Sequence, residues 1–359
     1  MKLSQLVAKE LHLLHHIESP ATCSLNGVTT FELKNGHIHY RVFLVKNNEE
    51  QGMPSHEIAK LAAFFNSKFF HETVTTNRLA VPSGHFERSF RVVDDDVCYL
   101  VFVVRVEGGR RKHHLTEEDL SQVAEKLATV HAINTSTMDR EFIRVISENH
   151  ENIRRYQSSL EPELIGILKD AVKGELAEYF SRPNEIIAKL EAVLRHTEVC
   201  PEPSDRVICH GRLSAENCIF KENANYTSTP IENQVVDISE WENVHFGDVA
   251  FDLSHLIISS AEPSVRRSKY MAIFRRYYYA RVDHRTTDFP LSVLKRLFRK
   301  HHKHAVLLGI EPLLEVLTSS ESEEVKQAHS YRWESALDDA YHFTTTEYVD
   351  DDEYSIFAK

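Results

Sequence analysis

Apolar positions in the first hundred residues fall in short extended runs. Val28–Leu33 and Ile38–Val45 flank Asn35-Gly36, a pair that supplies the positive φ angles of a tight turn, so these segments predict a β-hairpin. Past Pro54 and Ser55 the apolar spacing lengthens to that of a helix, with Ile58, Leu61, Ala62 and Phe65 on one face. Asp94-Asp95-Asp96 reads as a second turn. It leads into the continuous apolar run Val97–Val106, the signature of a buried strand. Glu107-Gly108-Gly109 then breaks the pattern and is the expected hinge between two lobes.

Beyond the hinge the pattern turns helical. Thr116 followed by Glu117, Glu118 and Asp119 reads as an N-cap with acids in the first turn, ahead of Leu120, Val123, Leu127 and Val130. Two long charged helices are predicted over Arg140–Tyr156 and Glu161–His196, each with a solvated face over a buried stripe. Short strands return at Arg206–Cys209, Cys218–Phe220 and Gln234–Ile238, and helices resume from Phe251. At the N-terminus Leu3, Leu6, Val7, Leu11 and Leu14 recur at helical spacing, interrupted by Lys9 and Glu10, unlike the unbroken apolar stretch of a secretory signal. The order predicts an α+β chain, with a small mixed sheet-and-helix lobe over 1–106 and a larger helical lobe over 107–359.

Composition narrows the function classes. The 359 residues hold 42 Lys and Arg against 54 Asp and Glu, a formal net charge of −12, and are 42% hydrophobic. That is too apolar for a disordered chain, and too acidic for a surface built to neutralise nucleic-acid phosphates. The longest apolar run, Val97–Val104, is far short of the ~20 residues of a membrane span, so neither nucleic acid nor membrane is an expected partner. Cys23, Cys98, Cys200, Cys209 and Cys218 include no C-x-x-C pair, and with His196 and His210 they match no compact zinc pattern. Free thiols in the cytoplasm are the expectation. The 22 histidines read as scattered, mostly surface groups.

The chemistry-bearing stretch is Val207-Ile208-Cys209-His210-Gly211-Arg212-Leu213-Ser214-Ala215-Glu216-Asn217. It is followed by Val236-Asp237-Ile238-Ser239-Glu240-Trp241 and by Val244-His245-Phe246-Gly247 with Asp252-Leu253. The pair resembles the catalytic and metal-binding segments of the aminoglycoside phosphotransferase and choline kinase-like superfamily, H-G-D-L-x-x-x-N and I-D-W with a downstream D-L. Arg266-Arg267 and Tyr277-Tyr278-Tyr279 follow in the order of the CHK kinase-like (ecdysteroid kinase-like) proteins. The resemblance implies a two-lobed protein-kinase-like fold, ATP and Mg²⁺ as cofactors, and a hydroxyl of a small molecule as phosphate acceptor. It also implies a role for His210 in the catalytic loop that Gly211 continues, Asn217 as a metal ligand, Asp252 as the brace of that loop, and Glu57 as the helix acid that pairs with a basic residue. Arg41 and Lys46 both fit that basic, phosphate-steadying position.

Two departures stand out. Arg212 occupies the place of the family's catalytic Asp, and a guanidinium has no acceptor site with which to take a proton. Glu240 falls at the metal-binding Asp when Trp241 to Gly247 is aligned without a gap, while Asp237 fits if the strand shifts by three residues. There is also no glycine-rich phosphate loop.

The expected function is therefore a weakened phosphotransferase or pseudokinase that still binds nucleotide or a small ligand in the interlobe cleft. The alternatives are an active small-molecule kinase in which Asp237, Glu240 or a substrate group replaces the base, and a scaffold that uses the fold as a surface. Arg212 itself can hold an anion, or pair structurally with Glu216, Glu240 or Asp252. Trp241 and Tyr277–Tyr279 can wall a ligand or pack a core. The acidic tail Asp350–Glu353 reads as a solubilising end, and the basic run Lys295–His304 as a solvent-facing helix surface.

Overall fold

In chain order the elements of the computed structural model are α1 (Leu3–Glu10), β1 (Ile17–Glu18), β2 (Thr22–Cys23), β3 (Thr29–Asn35), β4 (Ile38–Lys46), α2 (Ser55–Thr76), β5 (His85–Asp94) and β6 (Val97–Val106). Then come α3 (Glu117–His131), α4 (Arg140–Lys173), α5 (Pro183–Arg195), β7 (Val207–Cys209), β8 (Cys218–Phe220), β9 (Val235–Ile238) and β10 (His245–Gly247). The helices α6 (Phe251–Ser260), α7 (Pro263–His284), α8 (Leu291–Leu308), α9 (Ile310–Thr318) and α10 (Glu323–Thr345) follow. The structure describes residues 3–13, 16–24, 26–47, 53–197, 206–221, 234–287, 289–349 and 356–357. The expectations placed on Leu14, Cys200 and Asp350–Glu353 lie outside them. Contacts divide the chain into two units, both discontinuous in sequence. One is Met1–Arg111, Ile133–Gln157 and Asn217–Phe246; the other is Lys112–Ala132, Ser158–Glu216 and Gly247–Lys359.

The first unit is built on an antiparallel sheet in the order β1-β3-β4-β6-β5, with β2 beside β3. The Asn35-Gly36 turn closes β3 on β4 with Asn35 opposite Ile38 and Gly36 at φ 60°. Both faces of the sheet are covered, which explains the unbroken apolar run of β6. Phe102 and Val104 face Phe43, Ala63 and Phe64, while Val101 and Val103 face Phe31, Val42 and Val7 of α1. The buried face of α2 differs from the expected one. Ala59, Ala62, Ala63 and Phe70 are buried, whereas Ile58 is 39% exposed. The helix is covered from two sides, by β4 and β5 and by the turn at Trp241, so its buried arc is wider and rotated. Trp241 is fully buried and stacks on Phe70 at 4.1 Å, a core residue rather than a ligand wall. Gly109 has a steric reason: a Cβ there would lie 2.4 Å from the Phe220 carbonyl oxygen.

The second unit is helical around Leu253, Leu256, Ile257, Phe274, Leu297, Phe298 and Leu337, all fully buried. The cap of α3 is reciprocal, as Thr116 Oγ1 accepts from the Asp119 N–H and the Asp119 carboxylate from the Thr116 N–H. The helices predicted over 140–196 have other bounds. α4 continues through Pro162 to Lys173, and a new helix starts at Pro183 in the first-turn position that proline favours.

The basic run on α8 is not a solvent-facing surface. Lys295, Arg299, His301 and His302 are buried. Lys303 Nζ donates to the Leu194 and His196 carbonyls at 2.7 and 2.9 Å, and Arg299 to the Phe343 carbonyl at 2.8 Å. These cations close the carboxyl ends of α5 and α10, where unpaired carbonyls concentrate negative potential. Most of the described histidines are at least partly exposed, as expected, but seven, His71, His131, His210, His245, His255, His301 and His302, are buried.

Candidate functional site

The catalytic-motif loop of the second unit leaves β7 and turns at Gly211, whose φ of 89° lies in the left-handed region that glycine adopts without strain. Asp252, in the first turn of α6, accepts the His210 N–H at 2.6 Å and the Gly211 N–H at 2.9 Å. It is fully buried. Burial alone would push its carboxyl up, yet His131, His210 and the Gly211 N–H hold it below the usual carboxylate range. His131 Nε2 lies 3.6 Å from Asp252, and His131 Nδ1 is 2.7 Å from the Tyr277 hydroxyl. Of the three tyrosines, Tyr277 thus joins the core, while Tyr279 is 62% exposed.

Two further contacts fix the loop. Leu213 offers its carbonyl to His255 Nδ1 at 2.8 Å, and the Ala215 N–H donates to Ser260 Oγ at 2.8 Å. Burial drives the His255 imidazole down to about 4, so it is neutral at pH 7 and carries its proton on Nδ1. Ligand atoms of His131, Cys209 and Asp252 lie within 4.8 Å of one another. Both Asp252 oxygens are already engaged by the loop, and burial keeps the Cys209 thiol protonated by pushing it well up, with Asp252 and Asp248 adding to the effect. This cluster is a brace. The free cysteines among the described residues are Cys23, Cys98, Cys209 and Cys218.

Arg212 pairs with none of the three expected acids. Its Nη2 lies 3.3 Å from Glu311 Oε2 and 3.4 Å from the Leu308 carbonyl, at the junction of α8 and α9. Glu311 stands about a hundred positions away in sequence, so only the fold reveals the pairing. Glu315, one turn further along α9, has its carboxyl pushed up by burial and by Glu311, with Arg212 opposing.

The remaining predicted residues lie in the first unit. Arg41, 3% exposed, donates from Nη1 to Asp237 Oδ2 at 3.0 Å and from Nε and Nη2 to Glu32 Oε1 at 3.3 and 3.2 Å. Burial pushes the Asp237 carboxyl up against the pull of Arg41, and Asp237 Oδ1 has no hydrogen-bond partner among the described residues. Lys46 ends β4 and is exposed. Glu57 lies 3.4 Å from His56 and 3.9 Å from Lys60 on its own helix.

Asn217 and Glu240 are brought together, with Asn217 Nδ2 donating to Glu240 Oε2 at 3.0 Å. Arg111 Nη2 faces the other oxygen, Oε1, at 3.5 Å. Glu240 holds this position with a left-handed backbone, φ 66°, an uncommon conformation for a non-glycine residue. Mg²⁺ demands near-octahedral oxygen ligands at ~2.0–2.1 Å. Here N–H donors face both Glu240 oxygens and Asp237 Oδ2, so this donor set does not fit the ion as it stands.

A sequence profile of the ecdysteroid kinase-like family matches residues 105–287, half of the chain, including both motif segments. The chain belongs to the ecdysteroid kinase-like family. This ecdysteroid kinase-like chain is similar in fold to a microcompartment-associated aminopropanol kinase, with a TM-score of 0.56 and 13% identity over 95% of this chain and 98% of that one. It is similar also to a candidate aminoglycoside phosphotransferase of Ralstonia eutropha, with a TM-score of 0.51 and 10% identity over the same shares. The fold is the α+β, two-lobed protein-kinase-like class of small-molecule phosphotransferases. An uncharacterized oxidoreductase of Caenorhabditis elegans is 24% identical over 152 residues, 40% of this chain. The match takes in 18% of that protein, so the chain spans under a fifth of the length of this curated relative. No described helix is long and apolar enough to cross a membrane.

The motif carries the signals that point to His210, Gly211, Arg212, Asn217, Glu240 and Asp252. His131, Arg111 and Glu311 escape a reading of the chain. Arg111 has one usable signal, its place directly after Gly108-Gly109-Arg110.

Proposed function

We propose that this ecdysteroid kinase-like chain is a catalytically weakened or inactive small-molecule phosphotransferase that retains binding of a nucleotide or another phosphate-bearing ligand in the cytoplasm. Arg212 carries the reading. It stands at the catalytic-motif position of the base, and its guanidinium is tied to Glu311 and the Leu308 carbonyl. A cation there neither accepts the acceptor hydroxyl's proton nor orients it as a carboxylate does, and general-base assistance alone is worth about 10²–10⁴ in rate. The preserved scaffold supports retained binding: Asp252 still holds the His210 and Gly211 amides, and Asn217 still meets Glu240. Residues 1–106 then serve as the nucleotide-binding-type lobe, and 107–359 as the larger helical lobe that carries the catalytic-loop and metal-motif segments.

Calorimetric titration with ATP, with phosphate transfer to choline, ethanolamine and steroid alcohols followed in parallel, tests this. Binding without transfer is expected. Transfer at ordinary kinase rates overturns it in favour of an active enzyme, and neither binding nor transfer overturns it in favour of an interaction scaffold.

A further inference from the structure

Three arginines bear on the positions that carry chemistry in this family, and Arg111 has no assigned role. Its placement is built from the backbone. Arg110 pairs in both directions with Phe220, the Arg110 N–H to the Phe220 carbonyl and the Phe220 N–H to the Arg110 carbonyl, each at 2.9 Å. Phe220 ends β8, the strand that begins directly after Asn217. Gly109 permits this approach, because a Cβ there would collide with the Phe220 carbonyl. The register brings the next side chain, Arg111, to Glu240 Oε1, while Asn217 Nδ2 takes Oε2. The pair is accessible, with Arg111 48% and Glu240 37% exposed.

At 3.5 Å the Arg111–Glu240 contact is an ion pair longer than a good hydrogen bond. Exposed pairs of this kind contribute little net stability, so a competing anion can take the guanidinium over. A guanidinium presents several N–H donors in a fork that matches two phosphate oxygens. A metal ion meets the opposite situation, since it must displace a resident cation from Glu240. We propose that the Arg111 guanidinium takes the place of the metal ion at the Asn217–Glu240 pair, so that a phosphate-bearing ligand binds there without Mg²⁺. This rests on the reading above that the site still takes such a ligand.

The test uses the full chain and Arg111→Gln, a change at an exposed position that is expected to leave the melting temperature unaltered. ATP is titrated in EDTA and again in Mg²⁺, and Mn²⁺ is titrated into the nucleotide-free protein and followed by electron paramagnetic resonance. Wild type is expected to bind ATP equally well in both buffers. Arg111→Gln is expected to lose about tenfold or more in EDTA, the worth of a charge-assisted hydrogen bond. In the same variant Mn²⁺ binding tightens about tenfold, the effect of removing one unit charge at about 5 Å from a divalent ion even in bulk water. Wild-type binding that requires Mg²⁺ overturns the inference and leaves the proposed function standing. Absence of ATP binding in both buffers overturns both. Unchanged ATP and Mn²⁺ affinities in Arg111→Gln overturn the role of Arg111 specifically.

Discussion

Acidification from pH 7 to pH 5 is expected to remove much of the stability of the second unit through two neutral, fully buried histidines. Burial pushes His255 down to about 4 and His302 to about 3 from an ordinary 6.5. Between those values and 6.5 the unfolded chain binds protons that the folded chain refuses, so stability falls as pH falls through this window. From 6.5 to 5 each group contributes about 1.5 units at about 1.36 kcal/mol per unit, or about 2 kcal/mol, and the pair about 4 kcal/mol. Against a total of about 5–15 kcal/mol for a domain this is a large share. The carboxylates held low, Asp248 and Asp252, lose their contribution only at still lower pH. The partly exposed His329, pushed down to about 4 by burial, adds a smaller loss in the same direction. Glu315, pushed up by burial and by Glu311, opposes the loss.

Urea unfolding at pH 7, 6 and 5, followed by Trp333 fluorescence in a Trp241→Phe background, isolates this unit. Trp333 is buried there, with its indole N–H on the Val306 carbonyl at 3.0 Å. His302→Phe supplies the control. The His302 ring sits among Phe298, Phe343 and Phe357 at 4.5, 4.9 and 5.9 Å, a setting that accepts a phenyl ring. The variant is expected to lose about a third to a half of the pH dependence, the remainder belonging to His255 and His329. A stability independent of pH between 7 and 5, or a slope unchanged in His302→Phe, refutes the reasoning.

Three substitutions probe the scaffold by urea midpoint. Asp252→Asn keeps the shape but turns an N–H₂ group toward one of two loop amides, and is expected to cost about 1–3 kcal/mol through an unpaired buried donor; an unchanged midpoint contradicts the brace. Arg41→Gln leaves Asp237 buried without its counter-ion and is expected to cost about 3–5 kcal/mol at pH 7, with partial recovery on acidification as Asp237 protonates. Trp241→Ala, which removes the ring stacked on Phe70, is expected to cost about 3–5 kcal/mol; a near-neutral result contradicts its place in the core.

Local physics made the sheet readable in the chain. Asn35-Gly36 announces its own turn, and the apolar run of β6 follows from a sheet covered on both faces. Asp252 was legible only through the resemblance of its motif to the family's, and in the structure it accepts the His210 and Gly211 amides. Long-range pairing left no signal in the chain. Glu311 meets Arg212 from a distant helix, and His131 closes an otherwise ordinary amphipathic helix, α3. The basic run of α8 is buried for the same reason. Clustered cations usually mark a wet surface, but on α8 they terminate α5 and α10, whose ends come near only in the folded chain. The buried face of α2 differs from its single apolar stripe because two sides of the helix are covered.

In the proposed function a guanidinium in the place of the base weakens or abolishes phosphotransfer while ligand binding persists. The most direct measurement is the rate of γ-phosphate loss from ATP in the wild-type chain, at nucleotide concentrations shown to saturate it, with water and a panel of small alcohols as acceptors. Transfer that is absent, or at least about 10²-fold below the ordinary range for kinases, is predicted. Transfer at about 1–100 s⁻¹, the ordinary range for kinases, contradicts it.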